Sequence, residues 1–144
     1  MIEMLELTWH EADRVADLFA QKALELGIAQ IFGVPKGGLP LAVMVSARLD
    51  DMPLVDREDK ISVRTMIIED IIHTGVTLGR ILGRQRGLGV RPYVACWVVR
   101  EDAPDIPEVV IVGRRVGAGT PVKFPHETRE SARKSFDLSE QGRR

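Results

Sequence analysis

Scarcity narrows this sequence before any motif does. It has one cysteine in 144 residues, Cys96, which excludes an internal disulfide and a cysteine-built zinc cluster. Cys96 lies inside the apolar run Tyr93–Val99, where a core-filling role is expected. No apolar run approaches membrane-spanning length, and no leader pattern precedes the first helical segment. Charge of neither sign dominates: 20 Lys and Arg against 21 Asp and Glu give a net charge of −1, so no overall field favours nucleic acid or a membrane. Neither G-x-G-x-x-G nor G-K-[ST] occurs, which removes the dinucleotide and P-loop readings. There is no internal repeat and no low-complexity block. The length fits one domain with a real core, and a cytoplasmic location is expected.

The most informative segment is Thr65–Thr77, T-M-I-I-E-D-I-I-H-T-G-V-T. A buried-strand run meets the adjacent carboxylates Glu69 and Asp70. Two apolar residues follow, then a short loop, His73-Thr74-Gly75-Val76-Thr77, that opens a helix. An open α/β sheet presents chemistry at its carboxyl edge in this way. The helix start offers unpaired backbone N–H groups and a positive dipole end, suited to a phosphate. The two acids suit sugar hydroxyls and a hard divalent cation. A phosphorylated sugar is the expected ligand.

A second loop follows the short strand Ile31–Val34. It reads Pro35-Lys36-Gly37-Gly38 and leads into a helical pattern with Leu41, Val45 and Leu49 on one face. Glycines let backbone amides approach an anion, and Lys36 neutralises part of its charge. Upstream, Thr8 and Glu11 form a capping-box pattern before a helix with apolar Ala12, Val15, Phe19, Ala23 and Leu26, and Gly27 is placed to end it. Residues 49–63 form a polar connection with a small strand at Pro53–Val55. A helix spans Gly75–Arg86, strands follow at Pro92–Val99 and Val109–Val112, and residues 128–144 form a polar tail, expected to be a fraying helix or disordered. Strands alternating with helices give an α/β fold, an open, mostly parallel sheet flanked by helices. Trp9, Trp97 and Phe124 are expected in the core, with Phe124 the best candidate for base stacking. His10 is expected on a helix surface and His126 in a loop.

The acidic segment resembles the phosphoribosyl-pyrophosphate signature of type I phosphoribosyltransferases, a hydrophobic run, two acids, two hydrophobics and a Thr-Gly-x-Thr loop. Pro35–Gly38 resembles the family's pyrophosphate loop. The Leu5–Trp9 opening and the stretch Gly119–His126 resemble parts of bacterial xanthine-guanine (6-oxopurine) enzymes. The resemblance implies a phosphoribosyltransferase domain over residues 1–127, a small hood from the chain ends, and a tail over 128–144. It implies transfer of a 5-phosphoribosyl group from phosphoribosyl pyrophosphate to a purine-type base, with Mg2+ held by Asp70 and Glu69. Lys36, Gly37 and Gly38 would hold pyrophosphate, Glu69 and Asp70 the ribose hydroxyls, and Thr74, Gly75, Val76 and Thr77 the 5′-phosphate. His73, Arg100, Pro121, Val122 and Phe124 would face the base. Glu69, Asp70, His73 and Lys36 would carry catalysis, and a homodimer or homotetramer would be usual.

Two departures stand out. His73 occupies the place of an Asp that contacts the purine in 6-oxopurine members; unlike carboxylate, neutral imidazole both donates and accepts. Only Asp50–Arg64 is available for the mobile lid, so the lid is expected to be short or absent. The alternative function is a non-catalytic sensor of a nucleotide or of the donor, binding RNA through Arg80, Arg84, Arg86 and Arg91, although nucleic acid is not the expected partner. A generic phosphosugar enzyme would need no pyrophosphate loop, so Pro35–Gly38 counts against it.

Overall fold

In the computed structural model, which describes residues 3–140, seven strands and four helices form. They are β1 (Leu5–Glu6), α1 (Trp9–Glu25), β2 (Gln30–Gly33), α2 (Leu39–Arg48), β3 (Leu54–Val55), β4 (Thr65–Ile72), α3 (Val76–Gly87), β5 (Tyr93–Arg100), β6 (Val109–Val116), β7 (Val122–Lys123) and α4 (Arg129–Glu140). The main sheet has the order β3-β2-β4-β5-β6, and every pairing in it is parallel. Its central strands are near-continuous apolar runs because both faces are covered. On one face α1 and α2 bury Phe19, Leu41 and Val45 against Ile31, Met66, Ile68 and Trp97. On the other, α3 packs Leu78, Ile81 and Leu82 on Phe32, Ile67, Val94 and Cys96.

The local signals act much as the sequence suggests. The Thr8 hydroxyl accepts the Glu11 N–H at 3.1 Å, and Gly27, at φ +67°, ends α1. The capping box is only half made, however. The Glu11 carboxylate instead accepts from Trp97 Nε1 at 3.1 Å and from Arg114 at 3.0 Å. Trp97 and Phe124 are buried, edge to face at 5.1 Å between ring centres. Trp9 departs from expectation: it starts α1 on the outward side and is 52% exposed.

Chain reversal occurs at β2. Its neighbours are β3 on one side and β4 on the other, and the helices that follow β2 and β4 cover opposite faces. The loops leaving β2 and β4 therefore diverge at the carboxyl edge and leave a crevice between them. The chain ends add a two-stranded parallel sheet, β1 with β7. Residues 129–140 form α4, the helical alternative for the tail, and it is docked, with Ala132 and Ser139 buried; the mixed small and polar sequence hides the inward face.

The connection between α2 and β4 is short and tied down. It contains β3 and a single 3-10 turn, Glu58–Lys60. Glu58 pairs with Arg80 at 3.0 Å and Arg84 at 3.4 Å on α3. No free span remains there for a lid among the described residues. Arg86 makes a two-pronged pair with the buried Glu108 carboxylate, at 2.7 and 2.5 Å, clamping the β5–β6 connection to α3.

The Arg86 guanidinium holds the Glu108 carboxyl below its ordinary value of 4.5. A depressed folded-state value stabilises the protein above the unfolded value, and that gain is lost as pH falls below about 4.5. Glu108→Gln should cost about 1–2 kcal/mol at pH 7, allowing for the partly exposed Arg86. It should also flatten the acid limb of stability below that pH. Denaturant titrations across pH 3–7 that give parallel curves for both proteins would contradict the assignment.

Candidate active site

The acid pair lies within β4, not after it, because the strand continues to Ile72. Glu69 sits opposite Cys96 on β5, and both acids are buried, at 7% and 2% exposure. Strand alternation sends successive side chains to opposite faces. Here Glu69 Oε1 folds back to accept the Asp70 N–H at 3.0 Å, and Asp70 Oδ1 accepts the Ile71 N–H at 2.8 Å. Both carboxylates line one cleft of about 520 Å³. Their negative field reaches Cys96, whose thiol is pushed well up, first by burial and then by Glu69 and Asp70. That thiol is inert core, as expected.

The pyrophosphate-type loop closes the same cleft. Pro35, Lys36 and Gly37 line it with Glu69, Asp70 and Thr77, and Lys36 is exposed. Val34 N–H bonds Ile68 O at 2.9 Å, and Gly38 N–H bonds Val34 O at 2.9 Å, so the loop is pinned to β4. A side chain at Gly37 would run into the Asp70 carboxylate, and one at Gly38 into the Ile68 carbonyl. These glycines are required by close approach. Of the Thr74–Thr77 loop, Thr77 borders the cleft and Thr74, Gly75 and Val76 do not; Gly75 precedes α3 in the left-handed region at φ +74°, where glycine carries no Cβ penalty. The first-turn N–H groups behind it have no carbonyl within the helix.

A second, smaller pocket collects His73, Arg100, Val122 and Phe124 with Ile71. The structure thus brings together four of the five residues expected to face a base. Pro121 is not among them; it is buried nearby, and its carbonyl accepts the Leu5 N–H at 2.9 Å as part of the β1–β7 pairing. Arg100 is buried at the end of β5, where Nη1 donates to the carbonyls of Gly117, Ala118 and Thr120 at 3.2, 3.2 and 2.5 Å. It shapes the 117–120 loop. His73 is held at both ring nitrogens: Nε2 meets Asp102 Oδ2 at 3.2 Å and Nδ1 meets Ser139 Oγ at 2.5 Å. An ionised carboxylate only accepts, so the Asp102 contact calls for a proton on Nε2; in the neutral imidazole Nδ1 is then the acceptor.

Sequence reasoning missed several lining residues. His126, Glu127, Ser131 and Ser135 border the larger cleft, and Ala132, Ser135, Phe136 and Ser139 border the smaller. The spacing of the latter set is helical, but three of them are small, so the apolar signal is faint. His126 stacks on Phe124 at 5.8 Å. Three of the four arginines considered for RNA are engaged in ion pairs: Arg80 and Arg84 share Glu58, and Arg86 pairs with Glu108. A wider recess of about 1160 Å³, bordered by α1 and Arg114, shares no lining residue with the acid pair.

Solved structures share this architecture. The purine phosphoribosyltransferase of Pyrococcus horikoshii Ot3 superposes with a TM-score of 0.73 at 26% identity, over 88% of this chain and 96% of that one. The xanthine-guanine-hypoxanthine phosphoribosyltransferase of Helicobacter pylori gives 0.71 at 12% identity, over 94% and 99%. A Neisseria gonorrhoeae protein with bound ppGpp gives 0.68 at 15% identity, over 96% and 98%. No protein-family model matches the chain, and no curated protein sequence matches it significantly. The chain shares the fold of these phosphoribosyltransferases, and its acidic segment resembles the signature of the type I members.

Gly37→Ala tests the geometry of the crevice. The new methyl group would displace Asp70, so affinity for a phosphoribosyl donor should fall at least about tenfold, while stability drops by about 1–3 kcal/mol. Donor affinity unchanged in calorimetry would contradict the close approach.

Proposed function

We propose that this chain transfers the 5-phosphoribosyl group of phosphoribosyl pyrophosphate to a purine-type base, releasing pyrophosphate, in nucleobase salvage. The observation that carries the reading is the convergence of Lys36, Gly37, Glu69, Asp70 and Thr77 on one open cleft. The Pyrococcus horikoshii neighbour, a purine phosphoribosyltransferase, supports the choice of a purine. Transfer proceeds through a sugar with oxocarbenium character, so positive charge grows on the ribose and negative charge on the departing pyrophosphate.

Each half of that charge separation has a residue suited to it. Lys36 lies beside the departing group, where its charge counts most as the bond breaks. Glu69 and Asp70 take the ribose hydroxyls, and their field favours a positive sugar. The Thr74–Thr77 loop takes the 5′-phosphate and fixes the sugar for in-line attack by a base nitrogen. Among the described residues no group of three or more His, Cys, Asp and Glu side chains is placed to cage a metal. The two adjacent carboxylates fit Mg2+, which binds through one or two carboxylates together with substrate phosphates. Asp70 and Glu69 would hold it, and bound Mg2+ would neutralise charge on the pyrophosphate oxygens.

On the base side, His73 takes over the task a carboxylate performs elsewhere in the family. With the Nε2 proton facing Asp102, Nδ1 is the nitrogen that would accept a ring N–H of the base in place of its Ser139 contact. No helix among the described residues is long and apolar enough to cross a membrane. A second reading, a nucleotide sensor on the same fold, is favoured by the ppGpp-bound neighbour.

Pyrophosphate release from phosphoribosyl pyrophosphate and Mg2+ should depend on one supplied base among guanine, xanthine, hypoxanthine, adenine, uracil and orotate. Asp70→Asn should lower it about a hundredfold or more. Saturable donor binding with no release for any base would sink the transferase reading and favour the sensor.

A further inference from the structure

The two halves of the cleft differ sharply in openness. The donor half holds about 520 Å³. The base half holds about 10 Å³, barely room for one water and none for a bicyclic base. Ala132, Ser135, Phe136 and Ser139 fill it, all from α4.

What α4 puts there imitates a base. The Ser139 hydroxyl meets His73 Nδ1 at 2.5 Å. In the neutral imidazole with its proton on Nε2 toward Asp102, Ser139 is the donor to Nδ1, just as a ring N–H would be. The Phe136 ring lies 5.1 Å from the Arg100 guanidinium carbon, presenting an aromatic face to a cation. The rest of the helix holds on lightly. Only Ala132 and Ser139 are buried along it, and Arg133, Lys134, Asp137 and Leu138 face solvent. Elements with so few buried contacts open at low free-energy cost.

We propose that α4 is a resident occupant of the base pocket, an autoinhibitory helix that a nucleobase must displace. The inference rests on the base-transfer reading above and adds a brake to it. Base affinity is reduced by the fraction of molecules whose helix is withdrawn. The donor half stays open throughout.

The test uses the full-length chain with Phe136→Ala and Ser139→Ala, reading KM for the base and Kd for the donor. Each substitution weakens the occupant, so KM for the base should fall about fivefold or more. Donor Kd should not move, because neither side chain lines the donor cleft. KM unchanged or raised would overturn the proposal, since Phe136 and Ser139 would then be neutral or serve the base. Should Phe136→Ala fail to fold, Ser139→Ala removes one hydroxyl and carries the test alone. Phe136→Trp adds a direct readout: its emission should shift red when base is added, and an unmoved or blue-shifted emission contradicts withdrawal. Release by wild type with KM unmoved in the variants contradicts the α4 proposal alone. Donor binding with no release by wild type or either variant contradicts both the brake and the transferase reading.

Discussion

The contact between the Pro35–Gly38 loop and Asp70 is the constraint on which the site depends. The backbone passes so close to the carboxylate that no side chain fits at Gly37. That closeness exists because β2 and β4 are direct neighbours, in register from Gln30–Thr65 to Gly33–Ile68. Their helices leave toward opposite faces, so the loops part just beyond this contact. A cationic side chain, two carboxylates and a helix start then surround one crevice. Hydrophobic burial of β4 and β5 on both faces gives the acids a rigid base, with Met66, Ile67, Ile68 and Val94 through Val98 nearly inaccessible. The Cys96 thiol beside them is pushed up, first by its own burial and then by the charge of Glu69 and Asp70.

The donor half was legible in the sequence because its chemistry is local. An apolar strand, two acids and a Thr-Gly loop occupy consecutive positions, and so do the residues of the Lys36 loop. The alternation of strands and helices was equally readable, since each element carries its own periodicity. Boundaries moved where backbone pairing outran side-chain pattern: β4 absorbs both acids and runs to Ile72, and β6 extends to Val116. Trp9 was misplaced because hydrophobicity alone says nothing of which helix face a first-turn residue takes.

The base half was harder to read because it is assembled from distant segments. His73, Arg100 and Phe124 were singled out one by one, but what they touch depends on α4 and on the 101–108 turn. Asp102 carries no motif of its own, and it acts only through its distance to His73. Ser139 and Phe136 lie in a polar tail whose helical face is mostly small residues. On the proposed reading the acid-pair cleft keeps the expected residues while the His73 pocket departs from them: a histidine for a carboxylate, a tethered connection where a lid would lie, and a helix in the pocket. None of these differences touches Glu69 or Asp70, which keep their place in the larger cleft.

Calorimetric titration of the full chain with phosphoribosyl pyrophosphate, with and without Mg2+, tests the central claim most directly. Saturable one-to-one binding that tightens with Mg2+ and is lost on Asp70→Asn is the predicted result. Absence of saturable binding, or binding indifferent to Asp70, would contradict the assignment of this crevice to a phosphoribosyl donor.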